Sequence, residues 1–255
     1  MSGVSSASGY SSYSPYSVIS SGGTYQSASQ GASELAIQEK TKSQVNGLEA
    51  GSENLTSAKS ALNIEDGAME GITDYLQSIR ELSLQAMNGT LSDSDKQSIQ
   101  DQIEQYKQGI NDIANNTTYN EKNLLNGTTD DMTVATDNNG SSEKVSTYNS
   151  TLEALGIADY DVTGDFDISD IDKALETVSN SRSTVGSQTN AADYALTYNS
   201  HAALELDGYQ MDKEEDNAIK AYQELKTKQA LDAYQNTLQK KQQEDNEQQS
   251  MLLFT

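Results

Sequence analysis

Leu48, Leu55, Leu62, Met69 and Leu76 recur every seven residues without interruption. A repeat of that period keeps one apolar edge facing the same direction along a helix, and such an edge is stable only against other helices. Val45, Ala58, Ile72 and Ile79 supply a second, less complete row. The spacing predicts a long helix over 33–87 whose seam requires partners. Only 34% of the residues are hydrophobic, with no Trp and two Phe. A polar chain of this kind orders itself best as long helices that bury one narrow stripe each. The single proline, Pro15, leaves everything after it free to be helical.

Two more stripes supply the partners. Asn88–Gly89–Thr90 reads as a turn, and Ser92 or Asp93 as the cap of a helix over 93–116. Along it Ile99, Ile103, Tyr106, Ile110 and Ile113 alternate at spacings of four and three, which predicts an antiparallel hairpin with the first helix. A further helix is expected over 169–207, with Ile171, Leu175, Val178, Val185, Ala192, Leu196, Ala203 and Leu206 on its buried side. After Asp207–Gly208 the pattern loosens into a separate C-terminal helical arm, 208–255, carrying Ile219, Tyr222, Leu225, Leu231, Tyr234 and Leu238. Between the helices, 117–166 holds the turn signals Asn126–Gly127 and Asn138–Asn139–Gly140. Met132, Val134 and Val145 alternate there as short strands, which predicts a small β-hairpin region. Residues 1–32 are rich in Ser, Gly and Tyr and too polar to order alone, so both chain ends are expected to fold only on assembly. The fold class is therefore mainly α: a coiled-coil-like bundle of N- and C-terminal arms with one β-hairpin region. Helix packing is assigned to Leu48, Leu55, Leu62, Met69, Ile72, Leu76, Ile99, Ile103, Ile110, Leu175, Val178 and Leu196.

The chemistry-bearing residues are few. A net charge of −23 disfavours nucleic acid and anionic membrane surfaces as partners, because both need clustered Lys and Arg. There is no cysteine, so disulfides and thiolate chemistry are excluded. The lone histidine, His201, has no second ligand or nucleophile beside it. No phosphate-binding glycine loop or serine elbow is present, and no cofactor is expected. No apolar run approaches a membrane span, and the first 33 residues lack the basic and apolar parts of a secretory signal.

One acidic stretch resembles a calcium loop. Asp159, Asp161, Asp167 and Asp170 stand where an EF-hand places oxygen ligands, with Gly164 at the sharp turn. Thr163 at the fifth position, Asp in place of Glu at the twelfth and the lack of an entering helix speak against a metal. A solvated loop leading into an N-capped helix accounts for the same residues.

Ile19–Ser20–Ser21–Gly22 and Ser27–Ala28 open a set of landmarks that resembles the bacterial flagellins. With Leu35 to Lys40 they are similar to the family's N-terminal run, although its acidic pair is here Gln30–Gly31. Gly67–Ala68–Met69, Leu76 to Leu82, Asn88–Gly89–Thr90 and Asn123 to Gly127 follow in the family's order. Ile171 to Leu175 and Val178 to Gln188 resemble its C-terminal core helix. The resemblance covers residues 19–206 and implies a secreted, extracellular, non-enzymatic subunit of the flagellum, a homo-oligomer in a helical filament serving motility. It further implies passage through the flagellar export apparatus with a chaperone. A flagellin-like minor or junction component, or a secreted paralogue that forms no bulk filament, is the alternative. The family's contact with a host Toll-like receptor would fall on Leu76, Gln77, Ser78, Arg80, Glu81, Leu82 and Gln102, weakened because Ser78 replaces an arginine.

Overall fold

The computed structural model describes residues 14–253, with side-chain environments through residue 247. Eight elements follow in order: α1 (Pro15–Ser20), α2 (Ala28–Ala86), α3 (Asp93–Asn116), β1 (Thr118–Tyr119), β2 (Lys122–Asn123), β3 (Met132–Ala135), β4 (Ser142–Val145) and α4 (Ser169–Leu253). The protein is mainly helical, with two small antiparallel strand pairs, β1–β2 and β3–β4. The chain divides into two compact units, one of residues 46–202 and one of residues 1–45 with 203–255.

In the unit of residues 46–202, the seven-residue row of α2 is buried throughout. Leu55, Leu62, Met69 and Leu76 are at most 1% exposed, and Ser83 extends the row by one repeat. Three residues further on lies the second row of Ala58, Glu65, Ile72, Ile79 and Ala86, also buried. Gly71 of α2 faces Ile113, and Gly109 of α3 faces the Tyr75 ring, which also stacks obliquely on Tyr106. Position falls along one helix as it rises along the other, so the pair is antiparallel, as the stripes predict. Against α4 the pairs Arg80–Asp172, Asp66–Arg182 and Lys59–Asp193 run in the same reversed sense. These pairs are largely solvated and align the helices more than they stabilise them.

The α4 seam differs in detail from the expected one. Ile171, Val178, Val185 and Ala192 form a second seven-residue row, and Asn199 completes it. Leu175 and Leu196 sit beside that row and are only half-buried, while Ala174 occupies the fully covered position next to Ile171. The small Ala174 lets the helix approach closely, which turns the larger Leu175 to the rim. α4 also continues without a break through Asp207–Gly208 to Leu253, where the sequence suggests a helix ending at 207 and a separate arm from 208. One glycine costs a helix only about 1 kcal/mol, too little to end one with this much helical sequence on both sides.

The α2–α3 connection follows local chemistry. The Asn88 side chain accepts the N–H and hydroxyl of Thr90. Ser92 and Asp95 then exchange hydrogen bonds as a capping box that starts α3. Beyond α3, β3 pairs with β4 in the register Met132↔Val145 and Val134↔Glu143. Met132, Val134 and Val145 turn toward the core that holds Leu62 and Met69. The hairpin lies close along α2, since Gly51 faces the Thr136 carbonyl, Gly47 faces Asn138 and the Asn54 amide donates to the Ala135 carbonyl.

In the other unit, residues 14–32 are folded where the sequence suggests an arm without order of its own. Pro15 starts α1, and Val18 is fully buried against Tyr25 and Ala221, with Ile19 and Leu35 packed around them. The backbone is non-helical at Gly31, so the straight part of α2 starts close to Ser33. Gln30 clamps this corner: its oxygen accepts the N–H groups of Gln26 and Ser27, and its amide donates to the Ser17 hydroxyl. Gly22 and Gly23 have positive φ, and Gly23 lies directly against the Glu214 backbone, leaving no room for a Cβ.

Candidate self-association surface

The feature of the second unit that packing does not use is the outward side of α4. Ile219 and Tyr222 are 49% and 52% exposed, although Ala221 between them is buried. Further along, Leu231, Tyr234 and Leu238 follow at spacings of three and four and are 55%, 63% and 41% exposed. Such spacing places the three side chains on one face of a helix. Tyr209 and Tyr222 each have a lysine four residues later, and Lys213 and Lys226 lie over their rings at 5.6 and 5.1 Å. Lysine stems shield part of an aromatic face and keep the charge in water. The apolar residues of the sequence stripe over 208–238 are therefore present but largely uncovered among the described residues.

The calcium-like loop resolves into turns. The Asp161 carboxylate accepts the hydroxyl and N–H of Thr163, which hold it below the usual carboxylate range. Asp167 is lowered in the same way by Ser169, at the start of α4. Asp170 pairs with Lys173 one turn along the helix. Asp159 lines the same open groove as these residues. Among the described residues, no group of three or more His, Cys, Asp or Glu side chains is arranged to hold a metal ion. The same turn chemistry recurs at Asn126 and Asn149, each of which accepts from the threonine two residues on.

The expected receptor face is only partly a surface. Gln77, Glu81 and Gln102 are exposed. Leu76 is fully buried in the helical core and cannot belong to any docking face, because it continues the seven-residue row. Ser78 and Leu82 are half-buried, and Ser78 donates to the Asp74 carbonyl within its own helix. Arg80 is engaged by Asp172 at 2.6 Å.

Two polar sites escape a reading based on apolar periodicity. Gln100 and Lys107 of α3 are buried and both donate to the Tyr160 carbonyl, while the Tyr160 hydroxyl donates to Ser83 on α2. Burial pushes the Tyr160 phenol up, against the opposing effect of that hydrogen bond. Asn199 donates to the Thr136 carbonyl at 2.7 Å, joining α4 to the hairpin. The available signal was positional: Gln100 directly follows Ile99 on the buried side, and Asn199 falls seven residues after Ala192.

Among the described residues, no helix is long and apolar enough to cross a membrane. Residues 14–130 match the bacterial flagellin N-terminal helical region. A flagellin of Clostridium tyrobutyricum is 34% identical over 148 residues, covering 55% of this chain and 39% of that relative. The chain thus spans about two-fifths of that relative's length. The crystal structure of Bacillus cereus flagellin aligns with 58% of this chain and 88% of its own, at 26% identity and a TM-score of 0.50. A flagellar hook-associated type of protein from Vibrio parahaemolyticus aligns over 73% of this chain and 100% of its own. That alignment has a TM-score of 0.62 at 17% identity, a likeness of fold alone. In its matched helical region, its sequence relatives and its fold, the chain is similar to the bacterial flagellins.

Proposed function

We propose that this chain is a non-enzymatic structural subunit of the bacterial flagellar filament, secreted and assembling with copies of itself for motility. The observation that carries the reading is the uncovered apolar face of α4 in the second unit formed by Leu231, Tyr234 and Leu238. Leucine and tyrosine at helical spacing, left wet in the single chain, suit burial against a neighbouring helix. The acidic balance of the chain keeps subunits soluble before they assemble. Export through the flagellar apparatus, accompanied by a chaperone, belongs to the same reading.

The deciding experiment is electron microscopy of a strain whose only flagellin gene encodes this chain. Filaments are expected from the parent. None are expected from a Leu231→Glu, Tyr234→Glu variant, whose purified protein keeps the parental melting temperature. An absence of filaments from the parent, or normal filaments from the variant, overturns the reading.

For a host Toll-like receptor the proposed face is Gln77, Ser78, Arg80, Glu81, Leu82 and Gln102, without Leu76, which lies in the core. A planar guanidinium is a strong interface donor, so Ser78→Arg is expected to bind the receptor more tightly than the parent. Equal binding by the two proteins removes Ser78 from the account.

A further inference from the structure

Glu65 sits in the second buried row of α2, seven residues after Ala58 and seven before Ile72. It is 0% exposed, and neither carboxyl oxygen has a hydrogen-bond partner. Every neighbouring member of that row is apolar or small and contributes to the core that also takes in Met132, Val134 and Val145 of the hairpin. A buried carboxyl with nothing to accept from or donate to is a standing cost, and ionising it there costs far more.

The charged groups around it act in one direction. Asp131, in the segment entering β3, repels a charge on Glu65. Asp131 is itself kept ionised by Lys144 of β4 and by the Thr147 N–H, with its pKa lowered. On α2 the adjacent Asp66 turns to Arg182 of α4, and Arg182 also reaches Glu70. Lys144 and Arg182 are thus both paired with other carboxylates. Burial, and secondarily Asp131, push the Glu65 carboxyl up to about 8.

We propose that Glu65 is a proton-operated latch for the β3–β4 hairpin: neutral, it lets the hairpin seat on α2, and ionised, it drives the hairpin off. The hairpin is the element that yields. It is two strands of four residues, a size that is marginal without the helix beneath it, whereas α2 and α4 are held by long continuous seams. Lifting it lets water reach Glu65 and carries Asp131 away from it, so hydration and repulsion favour the same movement.

The chain has no cysteine, so a single introduced thiol reports opening at one chosen place. Val145→Cys, at a position 1% exposed on β4, reports the hairpin, and Ala114→Cys, at a fully buried position on α3, reports the helical core. Thr136→Cys is a second hairpin reporter should Val145→Cys fold poorly. Each is made in the parental full chain and in the Glu65→Gln background, and alkylation by iodoacetamide is timed at two pH values. Comparing backgrounds at one pH cancels the titration of the thiol itself. Between about pH 6.5 and about pH 9, hairpin labelling in the parent relative to the Glu65→Gln background is expected to rise roughly tenfold or more. Ala114→Cys is expected to label far more slowly than the hairpin reporters at both pH values, because only opening of the whole unit exposes it. A hairpin ratio that does not change with pH overturns the proposal, and so do equal labelling rates at the two sites, which mean opening of the whole unit.

Discussion

The side-chain oxygen of Gln100 accepts the backbone N–H of Val162 at 2.9 Å, while its amide donates to the Tyr160 carbonyl two residues earlier. One α3 side chain thereby stands in for a β-strand and binds the loop before α4. Gln100→Ala leaves a buried N–H without its partner, which costs about 1–3 kcal/mol. Chemical denaturation is expected to show a loss in that range. Tyr160→Phe is expected to lose about 1 kcal/mol, because Ser83 still bonds to the Ile79 carbonyl.

Leu62→Ala removes a fully covered side chain from the middle of the α2 row and is expected to cost about 2–5 kcal/mol. The control is Leu84→Ala, at a half-exposed position on the same helix, with an expected effect within about 0.5 kcal/mol. Thermal melts followed by circular dichroism distinguish the two. Equal melting temperatures would mean that the seven-residue row does not hold the fold.

Stability is expected to fall as pH rises from about 5 to about 8. The Glu65 carboxyl titrates near 8 when folded and near its ordinary, lower value when unfolded, so between the two the folded state holds the extra proton. The stabilisation relative to higher pH is complete below the unfolded value and is lost by the folded one, at up to about 1.4 kcal/mol per pH unit. Glu65→Gln is expected to flatten this slope in urea titrations. On the acid side the sign reverses. Asp131, Asp137, Asp161 and Asp167 are lowered by hydrogen bonds, and their contribution disappears as pH falls through those lowered values.

Gly23→Ala is expected to loosen residues 14–45, because a Cβ there meets the Glu214 backbone in addition to the cost of positive φ. Gly22 has positive φ and open space around it, so Gly22→Ala is expected to cost only about 1–2 kcal/mol. Limited proteolysis ranks them: earlier cleavage near α1 in the Gly23 variant, and cleavage close to parental in the other.

Apolar periodicity exposed the helices, since Leu48 to Leu76 and Ile99 to Ile113 can serve no purpose except a seam. It could not show what fills the gaps in the rows. Glu65 stands at a core position of α2, but a carboxylate in a sequence reads as solvent-facing until its register is counted. Asn199 is hidden in the same way. Leu175 and Leu196 are large and apolar and so attract the assignment that Ala174 and Asn199 take in space. The folding of residues 14–32 was not legible either, because it depends on Val18 meeting Ala221, some two hundred residues away in sequence. At the candidate surface, the stripe from Ile219 to Leu238 was visible as apolar residues, but not that it remains bare.

A uniform heptad seam has no zero point, and two helices slid by seven residues would meet almost the same surfaces. Asn199 breaks that translational degeneracy. Its amide finds the Thr136 carbonyl in one alignment only, and any slip would strand it among leucines. The residue thus works, together with the ion pairs between the two helices, as an index mark on a largely repeating scale, fixing how far along α2 the last core turn of α4 comes to rest.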